Sequence, residues 1–275
     1  YMVDTLKMGQ ASNNFLYPEQ LIFGGDKKNK EIINKLFNKF KCKKYLFSIK
    51  EAEIIKISIN LYLFFSVSFA NIMDNFAKEN GIEFSKTLNA LKNDKRISKF
   101  SYIQPSLGMA GGHLERDFFY FNKLNKNRIS SQILSKMFFY NQARKNILEH
   151  EIKNLKIKKL KILIIGISYK KQSYSTTNSF FSGLLKNKKL DVKIFDDQYD
   201  EADSSNRKFI KDINDAKYFN LFIYNYSSVL HAIKLKNLLS REKNKYLINV
   251  SFDNKGFFKG KNIINLFAEE GKSIN

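Results

Sequence analysis

Lys56 and Asn60 stand four residues apart in a segment whose apolar residues recur at helical spacing, so both side chains project from one helix face, one turn apart. An ammonium beside an amide stabilises an oxygen that gains negative charge when water is excluded around it. In a chain this rich in Lys and Asn, the same spacing also arises on a solvated face. Further along, residues 105–117 read PSLGMAGGHLERD. Gly108, Gly111 and Gly112 suit tight turns and close approach of backbone to a small molecule, and the stretch ends in the charged pair Arg116 and Asp117. His113 either fills a loop position or acts as a general base, since an imidazole titrates near neutral pH. Asp117 is either a working carboxylate or a solvated loop acid beside Arg116. His150 and His231 lack metal-ligand spacing, so no metal site is expected.

The elements that must position these residues fall into three textures. Residues 1–48 carry an apolar run at 21–23, the turn signal Gly24-Gly25-Asp26 and a helical pattern over 30–40, which read as a strand and a helix at the edge of something larger. Residues 49–155 read as all-helical apart from the glycine loop. One long helix starts near Glu51 and carries Ile54, Ile55, Ile59, Leu63, Val67, Ala70 and Met73; a second covers 82–91, and another long one covers 129–155. From 156 to 275 the pattern turns to short apolar runs at 161–165, 192–195, 219–224 and 246–250, with helical patterns between them. Such alternation predicts a doubly wound, Rossmann-like α/β domain with a parallel sheet. Its site-forming edge lies in the loops after Ile165, Phe195 and Tyr224. The basic segment 156–159 is the best domain boundary.

With 275 residues, 43% of them hydrophobic and 15% aromatic, the chain has ample material for two compact domains. The apolar run at 61–73 is shorter than the ~20 residues needed to span a bilayer, so no membrane segment is expected. Residues 1–9 show no secretory signal, and the single cysteine, Cys42, fits a reducing cytoplasm. A net charge of +22 invites a nucleic-acid reading. The excess is nearly all Lys, however, scattered and accompanied by abundant Asn and Ile, which argues for a compositionally biased, solvated surface instead.

Four stretches carry a resemblance. Residues 105–117 resemble the active-site loop P-G-x-G-x-G-G-x-C-x-P-K/R-D of the UDP-glucose/GDP-mannose dehydrogenase family, with Pro105, Gly108, Gly111, Arg116 and Asp117 matching and His113 at the cysteine position. Residues 51–71, EAEIIKISINLYLFFSVSFAN, resemble its central-helix signature through Ala52, Glu53, Lys56, Asn60, Ser68, Phe69 and Asn71. Residues 1–25 are similar to the stretch that precedes it, with Gly9, Ala11, Phe15, Pro18, Gly24 and Gly25 setting the register and Asp4 standing where the family has a glutamate. Residues 166–179, GISYKKQSYSTTNS, resemble its nucleotide-sugar loop in Gly166, Tyr169, Lys170, Ser173 and Ser179, while Tyr174, Ser175 and Thr177 replace an acidic pair and an arginine.

This resemblance implies NAD-dependent oxidation of the C6 hydroxyl of a UDP- or GDP-sugar, and a homodimer formed through the central helices. It implies that Lys56 and Asn60 stabilise an alkoxide, that Asp117 positions water, that Asp4 takes the place of a catalytic-site glutamate, that Gly108, Gly111, Gly112 and Lys170 bind the substrate, and that Arg96 reaches a neighbouring subunit's substrate. Lys170, on a strand-loop edge, would suit a diphosphate. The family's second oxidation passes through a thioester on its cysteine, which an imidazole cannot form. Residues 1–48 read as the end of the family's NAD-binding domain. No G-x-G-x-x-G fingerprint follows a strand in this sequence, so NAD binding by this chain alone is not expected, and a non-catalytic binding or dimerisation role stands as the alternative.

Overall fold

The computed structural model of the chain describes residues 1–4, 10–110, 112–168, 171, 179–198, 208–251 and 256–267, and for Gly112 and His113 the backbone only. Near the start, α1 (Ala11–Leu16) precedes β1 (Gln20–Gly24), which pairs in parallel with β2 (Lys43–Phe47) across α2 (Lys30–Leu36). Met2 bridges Phe23, and Val3 packs with Ile22 against Ala52, tying the first residues to the helix that follows.

That helix, α3 (Ile49–Glu79), begins where the sequence supplies a capping box: Ser48 Oγ accepts from Glu51 N, and the Glu51 carboxylate accepts from Ser48 N at 2.8 Å. It is the spine of the helical region. Phe64 packs with Met109, Phe118 and Leu134, and further along Ala70 and Ala77 pack with Phe84, Leu88 and Ile103. These partners come from α4 (Phe84–Asn93), α5 (Gly112–Leu124), α6 (Arg128–Lys145) and the loop between α4 and α5. By length and composition α3 is long and apolar enough to cross a membrane, which the short 61–73 run did not suggest. Its polar residues Asn60, Asn71 and Asp74 are buried and hydrogen-bonded to other segments of the chain, which is how a packed helix accommodates them.

Two expectations are corrected here. The single helix expected over 129–155 is α6 followed by α7 (Ile147–Asn154), broken at Asn146. The break lets α6 bury Leu134, Asn141 and Arg144, while α7 turns Leu148 and Ile152 into the core of the next domain. The glycine stretch is a loop only in its first half, because α5 starts at Gly112 and places Asp117 inside a helix.

The second domain is a parallel sheet in the order β4-β3-β5-β6-β7, formed by β3 (Lys161–Ile165), β4 (Asp191–Phe195), β5 (Leu221–Tyr224), β6 (Tyr246–Asn249) and β7 (Ile263–Asn265). Alternate residues face opposite sides, as strand geometry requires. Ile162, Ile164, Leu221, Ile223 and Ile248 meet Leu148, Ile152 and Leu184 of α7 and α8 (Ser182–Lys186). Leu163, Ile165, Phe222, Tyr224 and Leu247 meet Ala232 and Leu235 of α9 (Val229–Arg241) and the short 3-10 helix Ile213–Tyr218. Both faces are covered, as the continuous apolar run KILII predicts. The order places a topological switch between β3 and β5. The two regions share a core: Leu107 of the glycine loop lies in the sheet cluster, Lys78 Nζ donates to the Leu266 carbonyl, and the Arg144 guanidinium stands 5.4 Å from the Phe267 ring centroid.

Candidate active site

Asn60 of α3 and Asp117 of α5 come from sequence positions 57 apart and meet in the interior, with Asn60 Nδ2 donating to Asp117 Oδ2 at 2.5 Å. Both are buried. The register of the two helices follows from the neighbouring aromatics, since Phe64 lies one turn beyond Asn60, Phe118 follows Asp117, and their rings stack at 4.7 Å. The other carboxylate oxygen of Asp117 accepts from Arg116 Nε and Nη2 at 3.0 and 2.9 Å. Asp117 is therefore no solvated loop acid: a cation holds it on one side and an amide on the other. Lys56 lies one turn before Asn60, half-buried, and its ammonium has no hydrogen-bond or ion-pair partner among the described residues.

The loop that leads into α5 is held by side chains. Ser106 N donates to Asn71 Oδ1 at 2.8 Å, Met109 N to Asn141 Oδ1 at 2.7 Å, and Gly108 N to Ser106 Oγ at 3.3 Å. Gly108 sits at φ +112°, and a Cβ there would come within 2.7 Å of Asn141 Oδ1, so both the backbone conformation and the space call for glycine. Beneath it lies a buried ion pair: Arg144 Nη2 donates to Asp74 Oδ2 at 2.9 Å and Nε to the Ser106 carbonyl at 3.0 Å, while Nη1 bonds Asn75 Oδ1. In the sequence this pair is an aspartate and an arginine within helical patterns, and spacing does not distinguish them from surface charges.

At the expected edge of the sheet, the loops after β3, β4 and β5 converge. Gly166 adopts φ +82°, where a Cβ would meet the Tyr226 carbonyl oxygen at 2.6 Å. Asp196 Oδ2 accepts from Ile167 N at 2.8 Å and from the Tyr226 hydroxyl at 2.7 Å; that hydroxyl accepts in turn from Ser168 N at 3.1 Å. Burial pushes the Tyr226 phenol well above its ordinary value, and the Asp196 carboxylate adds to this, so Tyr226 stays protonated and donates. Asn225 Nδ2 ties down the Gly166 and Ser168 carbonyls at 3.1 and 2.8 Å. No sequence motif marks Asp196, Asn225 or Tyr226.

Of the residues expected at the site, Asn60 and Asp117 meet directly, and Lys56 lies one turn before Asn60 on α3. Gly108 shapes the loop beside them and Gly112 opens α5. Asp4 is exposed beyond the Met2 bridge and is not part of the Asn60–Asp117 pair. Arg96 lies after α4, highly exposed, with its Nη2 on Asp94 Oδ2 at 2.7 Å; that contact holds the Asp94 carboxyl below its usual range. Gly111, Lys170 and the side chain of His113 lie outside the described residues.

Residues 50–143 match the model for the UDP-glucose/GDP-mannose dehydrogenase family, central domain. The chain is similar to a UDP-glucose 6-dehydrogenase of Rickettsia bellii, 27% identical over 202 residues, covering 70% of this chain and 46% of the relative. It is similar to one of Campylobacter jejuni, 28% identical over 221 residues, covering 76% and 54%. The chain thus spans about half the length of these curated relatives. A solved UDP-glucose dehydrogenase from Pyrobaculum islandicum shares the fold, with a TM-score of 0.79 at 19% identity over 97% of this chain and 62% of that one.

Proposed function

We propose, from the premise that this chain belongs through its central domain at residues 50–143 to the UDP-glucose/GDP-mannose dehydrogenase family, that it binds a UDP- or GDP-linked sugar with the sugar's C6 hydroxyl at Lys56, Asn60 and Asp117. The observation that carries this reading is the buried Asn60–Asp117 hydrogen bond beside the half-buried Lys56. One N–H of the Asn60 amide is spent on Asp117, which orients the other toward a substrate oxygen. As the C6 hydroxyl gives up its proton, the Lys56 ammonium and that N–H stabilise the alkoxide. Asp117, oriented by Arg116, positions the water that carries the proton away. The nucleotide end lies at the sheet edge formed by Gly166, Asp196 and Tyr226, toward which Lys170 would bring a cation.

A nicotinamide dinucleotide would accept the hydride. Among the described residues the glycine loop does not fit its diphosphate, because the N–H groups of Ser106, Gly108 and Met109 are already bonded to side-chain oxygens. With His113 in place of cysteine, oxidation would stop at the aldehyde or its hydrate. The bonded loop amides support the alternative reading, a nucleotide-sugar-binding module without turnover, whereas His113 bears only on the second oxidation. Asp4 and the three glycines would line the site, and Arg96 would act across a subunit boundary. A cytoplasmic working compartment is supported by the single cysteine, Cys42.

Calorimetric titration with UDP-glucose, a UDP-N-acetylhexosamine and GDP-mannose, with NAD as a paired control, tests the reading. One nucleotide sugar is expected to bind; silence toward all of them sinks it. Homodimerisation is supported by a stripe of exposed residues on α3, Tyr62, Phe65, Phe69, Ile72 and Phe76, spaced three and four apart. Sedimentation equilibrium is expected to return twice the chain's 32.2 kDa. Replacing Phe69 and Phe76 by glutamate is expected to return the single-chain mass.

A further inference from the structure

At the opposite edge of the sheet from Gly166 and Asp196, a cavity of about 270 Å3 opens between α7, α8 and the segments leading into β3 and β4. Five of its nine lining residues are aliphatic, Ile152, Ile157, Leu160, Leu184 and Leu190, and Glu149 and Asn187 also line it. Lys153 and Lys156, both exposed, stand at its mouth, and neither ammonium has a hydrogen-bond or ion-pair partner among the described residues. Lys158, Lys159, Lys186, Lys188 and Lys189 lie on the segments flanking the same edge, so the local field favours an anion. Lys156 and Lys159 hold left-handed backbone conformations, φ 49° and 54°, which lysine rarely adopts. The acid on the wall, Glu149, lies one turn before Lys153 and packs against Gly183, where a Cβ would stand 2.4 Å from Oε1.

The geometry points to a binding site for a free medium-chain fatty carboxylate, with its aliphatic tail between Ile152 and Leu184 and its carboxylate between Lys153 and Lys156. At ~30 Å3 per water-sized group, the cavity holds about nine methylene groups, which suits a chain of roughly ten carbons. An apolar pocket with few, convergent polar groups at one end is the usual form of such a site. The site is separate from Asn60 and Asp117, so its occupancy does not depend on the nucleotide-sugar reading.

Calorimetric titration of the whole chain with decanoate, decanol and decylamine tests this. Decanoate is expected to bind at one site with a dissociation constant on the order of 10–100 μM, and decanol and decylamine more weakly. The double variant Lys153→Glu/Lys156→Glu, confined to exposed side chains, is expected to weaken decanoate binding by about tenfold or more. Ile157→Trp, which fills the cavity from its loop wall, is expected to abolish it while thermal unfolding shows a folded chain. Decanol or decylamine binding as tightly as decanoate, a stoichiometry of several molecules, or indifference to the charge reversal would each overturn the proposal.

Discussion

Arg144→Met is expected to lower the unfolding free energy by about 3–5 kcal/mol, read from urea denaturation followed by circular dichroism. The arginine side chain is 2% exposed and its guanidinium serves three oxygens, on Asp74, Asn75 and Ser106. Methionine fills much of the volume but leaves the buried Asp74 carboxylate without its principal cation. Lys78 stays 3.1 Å from that carboxylate, yet it is 40% exposed and screened by water, so it offsets only a small part of the loss. Removing both charges in Asp74→Leu/Arg144→Met is expected to recover a large share of the stability, since the cost lies in an unpaired buried charge. If the single variant melts within about 1 kcal/mol of the parent, far below the cost of an unpaired buried charge, the pair is not what holds the glycine loop to α3.

Phe118→Ala is expected to cost about 3–5 kcal/mol by the same measurement, because it removes a fully buried ring and leaves a cavity. Phe118 stacks on Phe64 at 4.7 Å and on Phe138 at 5.5 Å, joining α3, α5 and α6 at one point. It also adjoins Asp117, so loss of the ring loosens the register that brings Asp117 to Asn60. Nucleotide-sugar affinity should therefore fall with stability, by roughly tenfold for each 1.4 kcal/mol of binding energy lost. Phe118→Leu keeps most of the volume and is expected to retain most of both. An alanine variant that binds as tightly as the parent would separate the aromatic stack from the site.

Much of the second domain was legible in the sequence because its strands are buried on both faces and read as unbroken apolar runs, KILII at Lys161–Ile165 above all. The short β7 was missed, since three residues after Gly260 give too little pattern to separate a strand from a turn. The split between α6 and α7 was hidden because apolar spacing continues through Asn146; what changes there is which core the helix faces, a tertiary fact. The glycine stretch reads as a loop throughout, because consecutive glycines hide the start of the helix that carries Asp117 inward. Asn60 and Asp117 both stand out in the sequence, although only the fold brings them to 2.5 Å. Arg144, Asp196 and Tyr226 do not, because their roles rest on burial and on backbone groups that no spacing rule marks.

The most direct measurement is the affinity of the chain for the nucleotide sugar that binds on titration, against its 6-deoxy analogue, by calorimetry in one buffer. With the C6 hydroxyl held by Lys56 and Asn60, the analogue is expected to bind more weakly by about 1–3 kcal/mol, roughly five- to 150-fold, since buried polar groups lose their partner. Equal affinities would contradict the placement of C6 at the Asn60–Asp117 pair.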